Sequence, residues 1–462
     1  MSKYNYTQIE QQINSVLVYQ SEELKELSET IGNASSALST NISESEELLR
    51  KLGYDQQLSV FRGSKNYSVH QNQQKIMVVP SWESLCLEAE KSVGTGCELE
   101  QIFTSDELYR NESYIRQLNE EYNALHRLDK FDITICVAAG LLGAAVDILL
   151  VGIPKKTPEE LNAGTLSNYI RNWFDKKIPA EEMEKLACSK VSKVPYDAQD
   201  NRNTTILVQG LSSYYHRLLS LGHDPLLGFI FGVADILTGN MTTIDKTGKI
   251  VSQMMENYAD RKESSIFAAI AKQILHLKSD ITTSMGLPAP MMGLFNLLQF
   301  GDIGEEHQTI AEIVQGMYYE GYDFIHFCST SIPVMVIEVV IRIGYAIKRI
   351  KEGYTVKESI PFSLNREKHP KLATMLFIGH SAATAINAGK VYFTKNPMAI
   401  NYPQWLAFAK YSYKQLKWLL YNKPQARDAY VRGILNDELQ ETIQSVDDTF
   451  SKVAETYIVV FE

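Results

Sequence analysis

The sequence is poor in cysteine, and none of its five cysteines belongs to a CxxC pair. They are widely spaced along the 462 residues, at Cys86, Cys97, Cys136, Cys188 and Cys328. Disulfide frameworks and cysteine-ligated zinc sites are typically built from closely spaced pairs, so this spacing favours neither. Reduced thiols in a cytoplasmic setting are the best interpretation of this cysteine usage.

Signatures of common enzyme classes are also missing. The sequence contains neither a GxxxxGK[ST] phosphate loop nor an HExxH zinc motif. The stretch GHSAA around Ser381 resembles a nucleophile elbow, but His380 is the last histidine, so no catalytic histidine follows the serine. Histidines that are satisfied near helix ends are a simpler interpretation than metal ligands. We therefore expect no enzyme activity, no cofactor and no metal ion.

Excess positive charge is absent too, because the formal net charge is −10. Such a balance disfavours a broad surface for binding duplex nucleic acid. The first residues, MSKYNYTQIEQQINSV, also lack the apolar core of a secretory signal.

The sequence does contain a polar, helix-prone N-terminal stretch over residues 1–52. It carries apolar residues at spacings of three, four and seven, namely Leu24, Leu27, Ile31, Leu38 and Ile42. This periodicity predicts an amphipathic helix or a short coiled coil that ends at Gly53. It fits a helix packed on its own domain or an oligomerisation helix. A short strand is expected only at QKIMVVP.

Five later segments are long and weakly charged. They cover residues 133–154, 225–244, 281–301, 324–341 and 373–389. Several approach 20 residues, the length at which a helix spans a bilayer. Because strand signals are thin elsewhere, these segments predict an all-α protein.

Three of these segments share a spacing of small and polar residues. The pattern is small-x3-small-x2-[Asp/Asn], followed by two aliphatic residues. Its three copies are Gly140, Ala144 and Asp147; Gly228, Gly232 and Asp235; and Ala289, Gly293 and Asn296. Positions i, i+4 and i+7 lie on one helical face, so the polar residue would point at a closely packed neighbouring helix.

A histidine precedes the polar residue of each copy by about 20 positions. These histidines are His126, His216 and His276, and arginines follow the first two at Arg127 and Arg217. Asp147 and Asp235 therefore fit an N-cap, a buried ion pair with Arg127 or Arg217, or, together with Asn296, the lining of a polar path for an ion or small ligand. The three histidines are further candidate polar partners. Glu338 is similar, but Arg342 stands four residues later and can pair with it.

Together these patterns predict an all-α chain with a soluble N-terminal helical region and repeated helical hairpins carrying Gly/Ala-rich apolar helices. A membrane bundle and a soluble array both remain open. The expected divisions are a polar assembly or sensor region at 1–125, a hairpin core at 126–420 and a helical tail at 421–462.

The leading functional hypothesis is an oligomeric, membrane-associated helical protein that acts as a gated pore. The plan is similar to that of bacterial antiviral defence effectors in which a soluble helical sensor joins a channel-forming part, and the likeness rests on architecture alone. It implies a homo-oligomer at the inner membrane or its cytoplasmic face, gated by an unidentified small ligand or nucleotide. The alternative is a cytoplasmic all-α protein that binds a ligand or partner.

Overall fold

The computed structural model describes residues 5–63, 75–156, 161–303 and 306–461. The expected all-α class is confirmed, since 70% of the chain is helical. The described residues form sixteen α-helices: α1 (Gln8–Lys51), α2 (Asp55–Gly63), α3 (Trp82–Val93), α4 (Ser105–His126), α5 (Lys130–Val146), α6 (Thr165–Lys177), α7 (Ala180–Cys188), α8 (His216–Leu219), α9 (Phe231–Thr238), α10 (Ile266–Asp280), α11 (Ile310–Tyr319), α12 (Phe324–Lys351), α13 (Val356–Ser359), α14 (Leu372–Thr394), α15 (Tyr402–Lys417) and α16 (Lys423–Thr456).

Six short strands form three two-stranded sheets. The strands are β1 (Lys75–Val79), β2 (Lys155–Lys156), β3 (Leu161–Asn162), β4 (Asn240–Ile244), β5 (Ile250–Met254) and β6 (Tyr457–Phe461). β1 pairs with β6 in parallel, whereas β2 with β3 and β4 with β5 are antiparallel. The strand expected at QKIMVVP is therefore present as β1.

The chain divides into two compact units. The first combines the N-terminal residues up to Ala124 with the C-terminal residues from Gln425, and the second runs from Leu125 to Pro424. The C-terminal segment, which we expected to form a separate tail, thus belongs to the same unit as the N-terminal region. The β1–β6 pairing lies within this first unit.

The first unit begins with α1, a helix of 44 residues. Thr7 caps its start in a capping box with Glu10, which satisfies backbone N–H groups that otherwise lack a partner. Two residues beyond the last helical residue, Gly53 takes a φ of +86°, a conformation that favours glycine. The predicted helix and its end at this glycine are confirmed.

In the second unit, α5, α12, α14 and α15 pack as a helical bundle. Its buried core includes Cys136, Ala139, Ile337, Ile341 and Leu376. Gly140 allows α5 to approach α14, because a Cβ there would lie 2.6 Å from the carbonyl oxygen of Gly379. The small-residue face predicted for α5 therefore is a helix-packing face.

The predicted helices over residues 225–244 and 281–301 are wrong. The first segment contains only the eight-residue α9, which stops at Gly239 in the left-handed conformation and is followed by β4. The second holds a 3-10 turn, Met292–Leu297, because Pro288 and Pro290 cannot continue a helix. The three copies of the repeat thus adopt different local structures.

Substituting Gly140 by alanine should destabilise the bundle, because the new methyl group meets backbone that cannot move independently. We expect a loss of about 1–3 kcal/mol in the free energy of unfolding. The matched control is Gly389→Ala in α14, where a Cβ meets nothing within 4 Å. That change should be neutral or stabilise the helix by up to about 1 kcal/mol. Denaturant unfolding measures both, and equal effects would contradict the close approach of α5 and α14.

Candidate metal centre

Five side chains with metal-ligating atoms converge in the second unit. α8 contributes His216, and the 3-10 turn Leu221–His223 contributes His223. α10 contributes His276 and Asp280, which share one helical face because they are four residues apart. Asp197 comes from the irregular segment that precedes α8. Three chain segments that are distant in sequence thus meet at one point.

The facing atoms of this cluster lie close together without forming hydrogen bonds. From Asp197 Oδ1, the Nε2 atoms of His216 and His223 lie at 3.6 and 3.5 Å. From Asp280 Oδ2, the Nε2 atoms of His223 and His276 lie at 3.8 and 3.7 Å. Ligand atoms of Asp197, His223 and His276 all lie within 4.8 Å of one another.

Four of these atoms are buried and have no hydrogen-bond partner within the described protein. They are Nε2 of His216, His223 and His276 and Oδ2 of Asp280. A buried polar atom without a partner costs about 1–3 kcal/mol, so four at one point call for a common partner. Ligand atoms at about 2.0–2.1 Å around a tetrahedral ion are about 3.3 Å apart. The four Nε2–carboxylate distances exceed this by about 0.2–0.5 Å, and the ligand atoms of Asp197, His223 and His276 lie within 4.8 Å of one another, so the side chains would have to draw together to hold an ion.

Outer contacts orient two of the candidate ligands. The Nδ1 atom of His216 lies 3.0 Å from the carbonyl oxygen of Ser213, so a proton on Nδ1 leaves the Nε2 lone pair facing the cluster. Arg217 donates to Asp280 Oδ1 at 3.0 Å and also contacts Thr283. The second carboxylate oxygen of Asp280 is thereby left to face the histidines.

Burial sets the protonation states expected of metal ligands. It lowers the pKa of His216 and of His223 to about 4, so both imidazoles are neutral at neutral pH. Burial opposes ionisation of Asp197, but the facing imidazoles outweigh it and hold the pKa of this carboxyl below its ordinary range. Neutral imidazole and ionised carboxylate are the forms that bind metal ions.

Gly228, in the 3-10 turn before α9, and Gly232, in α9, pack closely against α10 beside the cluster. A Cβ on Gly228 or Gly232 would lie 2.5 Å from the side-chain amide of Gln273 on α10. Gln273 donates from Nε2 to the carbonyl oxygen of Gly222 at 2.7 Å and accepts from the hydroxyl of Tyr196. The Tyr196 ring in turn packs edge-on against His223 and His276, with centroids 5.1 and 5.4 Å apart.

The proposed pairing of Asp235 with Arg217 is wrong. Asp235 instead accepts from the backbone N–H and the hydroxyl of Thr242, each at 2.8 Å, and so connects α9 to β4. Arg217 binds Asp280 because α8 faces α10 at this level.

Asp147 likewise does not pair with Arg127, which is exposed. Its carboxylate receives Lys390 at 2.9 Å and Asn401 at 2.8 Å inside the bundle. Asn296 accepts from Gln315 at 2.8 Å. The three polar residues of the repeat are therefore buried among different partners, and a shared polar path through them stays a prediction.

The remaining predicted residues have structural partners. The Nδ1 atom of His126 lies 3.2 Å from the carbonyl oxygen of Pro370. Glu338 pairs with Arg342 at 2.8 Å, as expected from their spacing. Gly293 lies against α8, where a Cβ would be 2.7 Å from the carbonyl oxygen of Leu218.

Sequence reasoning identified His216, His276 and Arg217 but missed three members of the cluster. Asp280 carried a signal, because it follows His276 by four residues on a predicted helix. His223 carried a weaker one, since it follows His216 by seven residues across a turn. Nothing in the sequence points to Asp197.

Comparison with protein-family models, curated proteins and solved structures finds no match to this chain. The function must therefore be argued from the geometry of the cluster itself. That geometry combines three imidazoles and two carboxylates, of which the ligand atoms of Asp197, His223 and His276 lie within 4.8 Å of one another.

Removing the charge of Asp235 should change the pH dependence of stability. Burial raises the pKa of this carboxyl to about 6, so its neutral form is favoured in the folded state. This preference for the neutral carboxyl stabilises the folded state fully at a pH below the unfolded-state pKa of Asp235. The stabilisation is lost as the pH rises through about 6. Asp235→Asn should abolish this decline and, at pH 7.5, be more stable than the wild type by about 1–3 kcal/mol.

The amide retains an acceptor for the Thr242 N–H, so the fold should be unchanged. Thr242→Val, which removes only the hydroxyl, is the matched control and should be less stable than the wild type. Unfolding measured from pH 4 to pH 8 tests the prediction. A decline with pH that persists in Asp235→Asn would contradict it.

Proposed function

We propose that the protein is a metal-binding protein whose centre consists of Asp197, His216, His223, His276 and Asp280. The observation that carries the proposal is the convergence of four buried atoms without hydrogen-bond partners on one point. One ion there would replace four unsatisfied contacts with coordination bonds.

The ligand set points to a first-row divalent metal ion. Imidazole favours zinc, copper, iron and nickel, whereas carboxylate also suits manganese. A mixture of three imidazoles and two carboxylates therefore selects zinc, iron(II) or manganese over calcium and magnesium. The absence of a thiolate from the cluster disfavours copper(I).

The centre has one accessible side. The Asp197 side chain is 27% exposed, whereas those of His223 and His276 are 0% and 4% exposed. An ion held by these side chains would keep an open coordination position on the side of Asp197, where water can reach it. Metal-assisted hydrolysis by a bound water is the reaction class that such a position supports best.

Metal content tests this proposal. Purified wild-type protein should contain about one equivalent of metal by inductively coupled plasma mass spectrometry. His223→Ala and His276→Ala should each lose it, because each removes a coordinating nitrogen. The matched control is His326→Gln, which alters a buried histidine of the same unit outside the cluster.

A second readout separates metal loss from misfolding. Adding zinc or manganese at about a hundred times its dissociation constant should stabilise the wild type, once it has been stripped of metal with a chelator, by about 2.7 kcal/mol. The two alanine variants should fold, by circular dichroism, without this gain. A metal-free wild type that no divalent ion stabilises would refute the proposal.

Membrane association is a second candidate function, favoured by the outward faces of α5 and α12. Two helical stretches, Ser105–Val151 and Phe324–Lys351, are long and apolar enough to cross a membrane by length and composition. Their most apolar windows have mean hydropathies of 2.3 and 1.9, and only 33% and 39% of these windows is buried. A core helix of a soluble protein would bury more of such a window.

The exposed residues on these faces are large and apolar. On α5 and the turn that follows it they are Ile133, Val137, Leu141, Leu142, Ile148, Leu149 and Leu150, and on α12 they are Met335, Val339, Ile343 and Ile347. Charged side chains of the same helices pair inside the bundle, as Glu338 does with Arg342. An apolar surface of this extent is typical of contact with lipid or with another protein. Gating, ion passage and a role in defence remain predictions from the sequence.

Charges on this surface should weaken membrane binding. Leu141→Glu combined with Val339→Glu should reduce flotation of the protein with liposomes at least tenfold, since each buried side chain contributes about 1.5–3 kcal/mol. The matched control is Ile206→Glu with Leu207→Glu, which charges two exposed apolar residues outside these helices. Equal flotation of both variants, or none for the wild type, would contradict membrane association through this face.

A further inference from the structure

The middle of α1 is uncovered. Its start is packed, since Asn14 donates to the carbonyl oxygen of Cys97 at 3.3 Å and Val16 and Val18 are buried. Near its end, Glu46 pairs with Arg62. Between these anchors, every residue from 22 to 45 is exposed within the described chain. This amounts to more than six helical turns of exposed residues, and only the start of the stretch, at Leu24 and Ser28, lies near another segment, at Ile102.

The exposed stretch carries an apolar seam with a seven-residue repeat. Leu24, Ile31 and Leu38 are seven residues apart, and their exposed fractions are 65%, 60% and 60%. Leu27 and Ala34 stand three residues after the first two of them, which completes an alternation of three and four. A strict 3.5-residue average is the pattern of a coiled-coil core, whereas a helix lying on a globular core follows 3.6.

An exposed apolar seam of this length is unfavourable in water, so we expect another surface to pack against it. Isolated helices are marginal in water, and most helical stability comes from packing an apolar face. Leaving the four large aliphatic side chains of the seam, Leu24, Leu27, Ile31 and Leu38, in solvent forfeits about 1.5–3 kcal/mol for each. The helix therefore gains most of its stability from a partner with a matching repeat.

The residues that flank the seam are suited to an identical helix. On one side stand Ser28 and Ser35, and on the other stand Glu23, Thr30 and Ala37. Only Glu23 among these five flanking residues is charged, so two identical helices can pair with little like-charge repulsion. The flanks also carry no row of like charges that would favour a partner helix of opposite charge. The acidic residues Glu22, Glu26 and Glu29 lie away from the seam.

We propose that α1 forms a coiled coil with α1 of a second copy of this chain through the seam of Leu24, Leu27, Ile31, Ala34 and Leu38. The proposal is independent of the metal centre, which lies in the other unit. It assigns the N-terminal unit a role in assembly and makes the oligomer depend on α1.

Sedimentation of the full-length protein tests the pairing. At about 10 µM the wild type should sediment as a dimer. Ile31→Glu with Leu38→Glu places charges in the seam and should raise the dissociation constant at least tenfold. Ser36→Glu with Ser43→Glu adds the same charge on the outer face and should remain dimeric. A monomeric wild type, or equal masses of the two variants, would overturn the proposal.

Cross-linking tests the same seam without charging it. Ile31→Cys should form a disulfide-linked dimer under mild oxidation, because its counterpart lies across the seam. Ser36→Cys, on the outer face, should not exceed the wild-type background from the native cysteines. Metal content and circular dichroism should match the wild type in all four variants, which separates loss of pairing from loss of fold. Equal cross-linking of the two cysteine variants would count against the seam.

Discussion

The close approach of residues 228–232 to α10 is the contact on which the candidate metal centre depends. Gly228 and Gly232 leave the space that the Gln273 side chain fills. Gln273 then binds both the Tyr196 hydroxyl and the carbonyl oxygen of Gly222, which precedes His223. A larger residue at either glycine would displace this amide. Both histidine-bearing segments would then lose their common support, although neither glycine faces the centre.

The centre also shows how the protein meets the cost of burying polar groups. Some outer atoms of the cluster have protein partners, such as Arg217 on Asp280 Oδ1 and Ser213 beside His216, whereas Nδ1 of His223 has none among the described residues. The inner atoms have none, and they all point inward. A cluster whose inward-facing nitrogen and oxygen atoms lack partners is the arrangement expected around an ion, because a metal ion can accept a lone pair from each of them at once.

Helix class and packing faces were predictable from periodicity, whereas the centre was only partly so. The repeat correctly identified Gly140, Gly228 and Gly232 as sites of close approach, because small residues at i and i+4 act through local geometry. It wrongly implied that all three copies form long helices. Gly239 ends α9 after eight residues, and Pro288 and Pro290 leave only a 3-10 turn in the third copy. Asp197 was not predictable as a member of the cluster and His223 only weakly so, because their meeting with α10 depends on contacts between distant segments.

The carboxylate that stands in the apolar stretch HDPLLGFIFGVADILTG illustrates the same limit. Asp235 shares a helical face with Gly228 and Gly232, which suggested a role at a helix–helix interface. In the structure it accepts from the N–H and the hydroxyl of Thr242 and so fixes the chain reversal from α9 into β4. Burial raises the pKa of Asp235, so keeping this carboxyl ionised at neutral pH lowers the free energy of unfolding, whereas a neutral amide would not. The reversal brings β4 next to the turn that carries His223, since Thr243 bridges Ser220. Asp235 therefore bears on the candidate metal centre indirectly, by positioning the strand against which that turn is held.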